Sequence, residues 1–401
     1  MDANTDPAVG TNVRQARRAA RLTIELVAGR IGHSKSWLSM VERGLLPLDK
    51  RQDIAALAEV IGVSADALLG QPVPEIRPRQ APWSTVAFRA VLLDATLDGP
   101  PDGPARPLTV LAAVAADMDA ALRRADYAAL QLGLPGLLGE LQVHAAAGGG
   151  AGRDRAARLL VAATATAAIT LKHHGHTDLA WIAADRGRQA AALTGDPVQE
   201  AAAAFGCAHC TNSANRPRVL MSMPARADKL EPLCGDNRYA REVYGMIRLS
   251  AALACAVSGD HAGARDQGGE AARVAGELGD RPEAFEVFGP ANAGIWRASL
   301  AVEAGNAEEA LAHADAVEPR ALASANRRGA LRMERSRAQW MLGNDATAVA
   351  ELRRAEKLSP VQVRNHPMIR NQVAHMLAKA TREAGGAELQ GLAWRMGMRA
   401  S

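Results

Sequence analysis

Apolar residues recur at helical rather than strand spacing along this chain. Residues 1–10 carry no periodicity and are expected to be disordered. From Thr11, Val13, Ala16, Ala19 and Ala20 line one side of a helix ending near Leu22, while Arg14, Arg17, Arg18 and Arg21 occupy its other faces. A second short helix begins at Thr23, whose hydroxyl suits an N-cap, and covers Ile24 to Ala28. After a tight turn, Arg30-Ile31-Gly32-His33, Ser34 caps a third helix that Gly44 stops, with Leu38 and Val41 as its buried face. Asp49 is expected to cap a fourth helix, on which Ile54, Leu57, Ala58 and Ile61 fall at helical spacing before Gly62. Ser64 caps a short fifth, with Leu68 and Leu69 closing the core before Gly70. Residues 11–70 therefore read as a small five-helix module.

Pro72, Pro74, Pro78 and Pro82 cannot continue a helix and mark a semi-rigid linker. Trp83 to Leu97 resumes an apolar helical pattern, which the loop at 98–104 breaks, so 71–107 reads as linker and bridging helix. That helix bridges the two domains or supports dimerisation. From about residue 108 to 401 there is no strand alternation, only helices broken by glycine–polar pairs. Gly175, Gly259, Gly305 and Gly343 are each followed, five residues on, by alanine: Ala180, Ala264, Ala310 and Ala348. The glycine spacings are 84, 46 and 38 residues, and 84 is twice 42. Repeats of about 40 residues, each a helical hairpin, account for this, with a degenerate one near 205–235 and a last one beginning at Gly385-Gly386. Glycine makes the tight turn and alanine lets the second helix approach the first.

This pattern resembles the tetratricopeptide (TPR) repeat, with a spacing longer than the usual ~34 residues. The resemblance implies an all-α solenoid with a concave face lined by the first helix of each pair. Tyr244, Arg248, Asn292, Trp296, Arg328, Arg332, Asn371 and His375 are the residues expected to line that groove and contact a ligand.

The N-terminal module carries its own signature. A helix, a glycine turn and a capped second helix form the helix-turn-helix arrangement, in which the second helix enters the major groove of DNA. Arg21-Leu22-Thr23, Ser39-Met40-Val41-Glu42-Arg43-Gly44 and Gly62-Val63-Ser64-Ala65-Asp66-Ala67-Leu68-Leu69-Gly70 resemble the Cro/C1-type (XRE-family) domain of bacterial repressors. The resemblance implies that Lys35, Ser36 and Met40 read bases and that Trp37 and Ser39 lie against the groove wall or phosphates. Arg43 would hold the DNA backbone, and Glu42 would pair with an arginine of the first helix, here Arg17. One position departs from the family. Ile24 stands where a phosphate-binding Gln is usual, so that contact is lost or passes to Thr23 or Arg30.

Composition adds little. The net charge of +4 suits a nucleic-acid binder without establishing one. Six lysines among 47 basic residues, with abundant Ala and Gly, suggest a GC-rich bacterial genome. No apolar run reaches the ~18 residues of a membrane span, and the N-terminus is polar, so a cytoplasmic protein is expected. Cys207-Ala-His-Cys210 has CxxC spacing but no second close pair, and it falls in a helical stretch where small cysteines pack in cores. His173, His174 and His176 end a helix, where protonated histidine favours the dipole, and no further metal ligand is in evidence. Gly148 to Gly152 lacks the Lys-Ser/Thr of a phosphate loop and reads as a connection. No grouping argues for catalysis, and no metal or cofactor is expected.

The reading is a DNA-binding transcription regulator that binds an inverted-repeat operator as a homodimer and senses a peptide or small molecule through its helical repeats. The alternative is a protein-interaction scaffold built on those repeats.

Overall fold

The structure is a computed structural model that describes residues 9–70, 83–147, 149–210, 217–383 and 386–398, and the described residues are helical without strands. The N-terminal module comprises α1 (Val9–Ala19), α2 (Ile24–Arg30), α3 (Lys35–Glu42), α4 (Arg51–Ile61) and α5 (Ala65–Leu69). Thr23, Ser34 and Ser64 each accept a backbone N–H as side-chain caps, and Gly62 ends α4 in the left-handed region.

Two expectations need correction here. Val9 and Gly10 belong to α1 and are buried, so the disordered segment proposed for 1–10 is too long; residues 1–8 lie outside the described ones. The reason is close packing. A Cβ on Gly10 would fall 2.1 Å from the Val41 carbonyl oxygen, so glycine permits α1 to cross α3 at backbone distance. Nor does Asp49 cap α4. The N-cap residue is Lys50, with no side-chain cap, and the exposed N–H of Arg51 is met from another domain, as described below.

The linker proposed for residues 71–82 lies outside the described residues. The bridging segment is a short helix, α6 (Val86–Arg89), running into one π turn at Ala90–Asp94. There follow α7 (Leu108–Arg123), α8 (Tyr127–Ala147), α9 (Gly150–His173), α10 (Thr177–Thr194), α11 (Pro197–His209), α12 (Pro217–Met221) and α13 (Met223–Leu230). The second half holds α14 (Arg238–Val257), α15 (His261–Leu278), α16 (Pro290–Glu303), α17 (Ala307–Asp315), α18 (Ala325–Met341) and α19 (Asp345–Leu358). It ends with α20 (Pro360–Asn365), α21 (Pro367–Glu383) and α22 (Ala387–Arg395).

The glycine rule describes four hairpins: α9/α10, α14/α15, α16/α17 and α18/α19. Gly175, Gly259, Gly305 and Gly343 all have φ between +77° and +83°, and the four following alanines are all buried. The hairpin α7/α8 turns instead through Ala125 at φ +57°, a left-handed non-glycine that the pattern does not reveal.

These hairpins wind far enough to meet themselves. Asn326 of α18 donates to the Leu122 carbonyl of α7 at 2.8 Å, and its Oδ1 accepts from Tyr127 of α8 at 3.2 Å and Ser359 at 2.6 Å. Asn365 donates to the His173 carbonyl at 2.8 Å. Partners about two hundred residues apart thus close the stack around a central cavity of about 450 Å³.

The N-terminal module is docked on this ring through its α3–α4 loop. Glu303 of α16 accepts from the backbone N–H of Arg51 at 2.6 Å and from its guanidinium at 2.7 Å, so a carboxylate 252 residues away caps α4. Arg337 of α18 donates to the same carboxylate at 2.8 Å and to the Asp49 carbonyl at 3.0 Å. Asn371 donates to the Leu48 carbonyl at 2.9 Å, and Met368 joins the module's own apolar core. Burial opposes ionisation of Glu303, but the charges of Arg51 and Arg337 outweigh it and hold the carboxyl below its ordinary range.

Candidate nucleic-acid interface

The third helix is held from beneath and left open above. Leu38 and Val41 are buried in the module core. Glu42, also buried, forms a two-pronged pair with Arg17 at 2.5 and 2.8 Å, and Arg17 further donates to the Leu22 carbonyl at 2.8 Å. This is the pairing implied for Glu42, and it fixes the end of α3 to α1. A planar guanidinium meeting a carboxylate at two points sets orientation as well as distance.

Ser34 caps the start of α3 by accepting from Trp37 N–H. Lys35, Ser36, Met40 and Arg43 then project into solvent, with Ser39 half-buried. Lys35 is paired with Glu25, but both side chains are more than half exposed, so water and salt screen the pair and the lysine is free to exchange partners. Trp37 faces another way. Its indole stacks on His33 with ring centres 3.7 Å apart, and His33 bonds Asp53 of α4 at 3.0 Å. The half-buried Trp37 therefore buttresses the turn against α4, and its remaining edge is what a groove wall can meet.

Ile24 is half-buried against the module core, so the position where the resemblance implied a phosphate-binding Gln is used for packing. Thr23 and Arg30 beside it are exposed; the Thr23 hydroxyl accepts from Leu26 N–H and keeps its own proton available to a phosphate oxygen. The docking contacts use Leu48 and Asp49 of the loop after α3 and Arg51 at the start of α4. The residues expected to meet DNA form none of the described interdomain bonds.

The eight groove residues part company. Trp296 alone lines the central cavity. Arg248 is buried by Tyr244 and ion-paired to Asp228 and Glu231, each at 3.0 Å. Arg328 donates to the Leu322 carbonyl, Arg332 pairs with Glu351, and His375 meets Trp340 edge-on. Asn292 supports the Glu286 carbonyl at 3.0 Å, on a loop that borders the cavity, and Asn371 belongs to the docking interface.

Sequence reasoning missed Glu303 and Arg337. A signal existed. Glu303 falls in helical line with Ile295, Ala298 and Val302, and Arg337 with Ala330 and Met333, so each places a charge on an apolar face.

Cys207 and Cys210 are buried, and Cys207 Sγ lies 3.5 Å from the Ala184 carbonyl oxygen. His173 bonds Tyr127 at 2.8 Å and His174 stacks on Trp83 at 3.6 Å. Burial pushes His173 well below its ordinary value and His174 down to about 4, so both are neutral at pH 7 and neither serves the helix dipole as a cation. Gly150 begins α9 directly after Gly149, while Gly148 lies outside the described residues. No helix among the described residues is long and apolar enough to cross a membrane.

Comparison with known families matches residues 8–69 to a helix-turn-helix domain. No curated protein and no solved structure matches the chain.

Proposed function

We propose that this protein is a cytoplasmic bacterial transcription regulator of the Cro/C1 type. Its α3 reads an inverted-repeat operator, and its C-terminal TPR-like helices dimerise and bind an effector, a peptide or a small molecule. Lys35, Ser36 and Met40 contact bases, with Ser39 and the free edge of Trp37 at the groove wall. Thr23, Arg30 and Arg43 contact phosphates. The observation that carries the reading is the division of labour within one small module. The matched helix-turn-helix region keeps Lys35, Ser36, Met40 and Arg43 in solvent while its α3–α4 loop is gripped by the ring. A lysine donating to guanine O6 or N7 supplies about 1–3 kcal/mol of discrimination.

One such module buries only about 600–1,000 Å² of its surface on DNA, which argues for two modules on two half-sites. Centres about 34–36 Å apart, or a multiple of that, are expected. The test is selection of bound DNA from a random pool by the full-length protein, with Lys35→Ala as control. An enriched inverted repeat lost in the variant supports the reading. No enrichment, or enrichment indifferent to Lys35, would leave the helical repeats as a protein scaffold instead.

A further inference from the structure

The central cavity has a wall unlike the rest of the interior. Its volume of about 450 Å³ falls in the range of small-molecule sites. Much of the wall is apolar and aromatic, with Ile169 of α9, Phe205 of α11 and Phe285, Ile295 and Trp296 beyond. Such a surface suits a hydrocarbon or ring.

Into this wall the fold places two cations that no described carboxylate bonds. Lys172, at the end of α9, donates to the His209 carbonyl at 2.6 Å. Arg327, on α18, has no ion-pair partner among the described residues, and the charge of Glu286 acts on it without bonding it. The other arginines of the wall are neutralised, Arg51 by Glu303 and Arg123 by Asp119. Arg327 also acts on Lys172, whose proton burial already loosens, down to about 8. The wall also carries Asp66, Asp119, Glu283, Glu286 and Glu334; Arg123 takes Asp119 and Arg337 takes Glu334, and no described bond joins any of the five to Lys172 or Arg327. Two desolvated like charges without a bonded carboxylate are costly to hold, and an anion between them relieves that cost.

Two further observations point the same way. Trp296, Gln362 and His366 border the cavity, and their buried Nε1, Oε1 and Nδ1 atoms have no hydrogen-bond partner among the described residues. Buried polar atoms are normally paired, so three orphans beside one cavity set this wall apart from the rest of the interior. The loop that supplies Phe285 and Glu286 is strained as well: Glu286 and Val287 have φ of +51° and +56°, a left-handed backbone that a β-branched residue rarely adopts. Finally, Arg51 and Gly70 of the DNA-binding module border the same space, and Arg51 is the residue that Glu303 holds.

From this geometry we infer that the cavity binds a small organic anion with an apolar body, its charge held between Lys172 and Arg327, and that occupancy reaches the DNA-binding module through Arg51. This commits the effector of the regulator reading to a small molecule, since a cavity of this size seats one and not an extended peptide. Only the link to DNA rests on that reading.

The probe is anilinonaphthalene sulfonate, compared with phenylnaphthylamine, which has the same rings without the charge. The full-length protein should bind one sulfonate per chain with a fluorescence rise, at least about tenfold more tightly than the uncharged parent. Arg327→Gln should weaken the sulfonate by about tenfold or more and leave the parent unchanged. Lys172→Gln is read in the same way and decides the matter should the first variant fail to fold. Absence of a stoichiometric site, equal affinity for both probes, or affinity unmoved by the variants would overturn the inference. Operator selection run in parallel separates the two ideas. Enrichment without a sulfonate site removes the anion alone, and a sulfonate site without enrichment removes the regulator reading alone.

Discussion

The proposed recognition face and the central cavity are opposite solutions to the placing of polar side chains. Lys35, Ser36, Met40 and Arg43 lie within nine residues of one another, stand in water and need nothing from the rest of the chain beyond a capped helix on a small core. The cavity draws Lys172, Trp296 and Arg327 from three helices and His366 from the turn between α20 and α21, spread over nearly two hundred residues, and exists only because the ring closes. Changes at the first should alter recognition with little effect on stability, and changes around the second should alter both. Between them stands Glu303, which caps a helix of one region from the other.

That middle position makes Glu303→Ala the most damaging single change. It leaves the half-buried Arg51 and the buried Arg337 without their shared carboxylate, for which a loss of about 3–5 kcal/mol is expected. Thermal unfolding should show it, and hydrogen exchange should show lost protection in the first turn of α4. Unchanged protection there would mean that the module docks by other contacts.

Mild acid should test the cavity side alone. Burial lowers His366 to about 3, His174 to about 4, and His173 and His209 well below their ordinary 6.5. Below pH 6.5 the unfolded chain binds protons that the folded chain refuses, so stability falls as pH drops from about 6.5 towards 4. Each histidine contributes up to about 1.4 kcal/mol per pH unit in that window. Melting temperature measured against pH should therefore decline below 6.5, and a flat profile to pH 5 would contradict the buried, neutral imidazoles.

On the recognition face, Lys35→Ala should cost about 1–3 kcal/mol of discrimination at one operator position. Its effect on stability should stay within about 0.5 kcal/mol, because the side chain is exposed. A melting temperature that fell along with binding would place Lys35 in the fold instead. The smallest effect belongs to Arg43→Ala. A phosphate contact should weaken all sequences equally and reduce the salt slope of binding by about one. Altered base preference would instead assign Arg43 to base reading.

Much of the molecule was legible before any coordinates. Ser34, Thr23 and Ser64 act as caps, four glycines make left-handed turns, and four alanines five residues on are buried. These are short-range matters, settled by the 3.6-residue period and by groups within one turn of each other. The Arg17–Glu42 pair also appeared as expected, because the resemblance of the N-terminal module carried it.

Tertiary structure alone decided the rest. Gly10 joined the fold because α3 crosses it at backbone distance, and Asp49 gave up its capping role to a carboxylate from α16. Of the residues expected to line a groove, Trp296 reached the cavity, while Lys172 and Arg327 came to it from elsewhere. No local rule foretells such meetings. A contact across two hundred residues leaves no periodicity behind, and which faces meet depends on the accumulated turn of every hairpin between them.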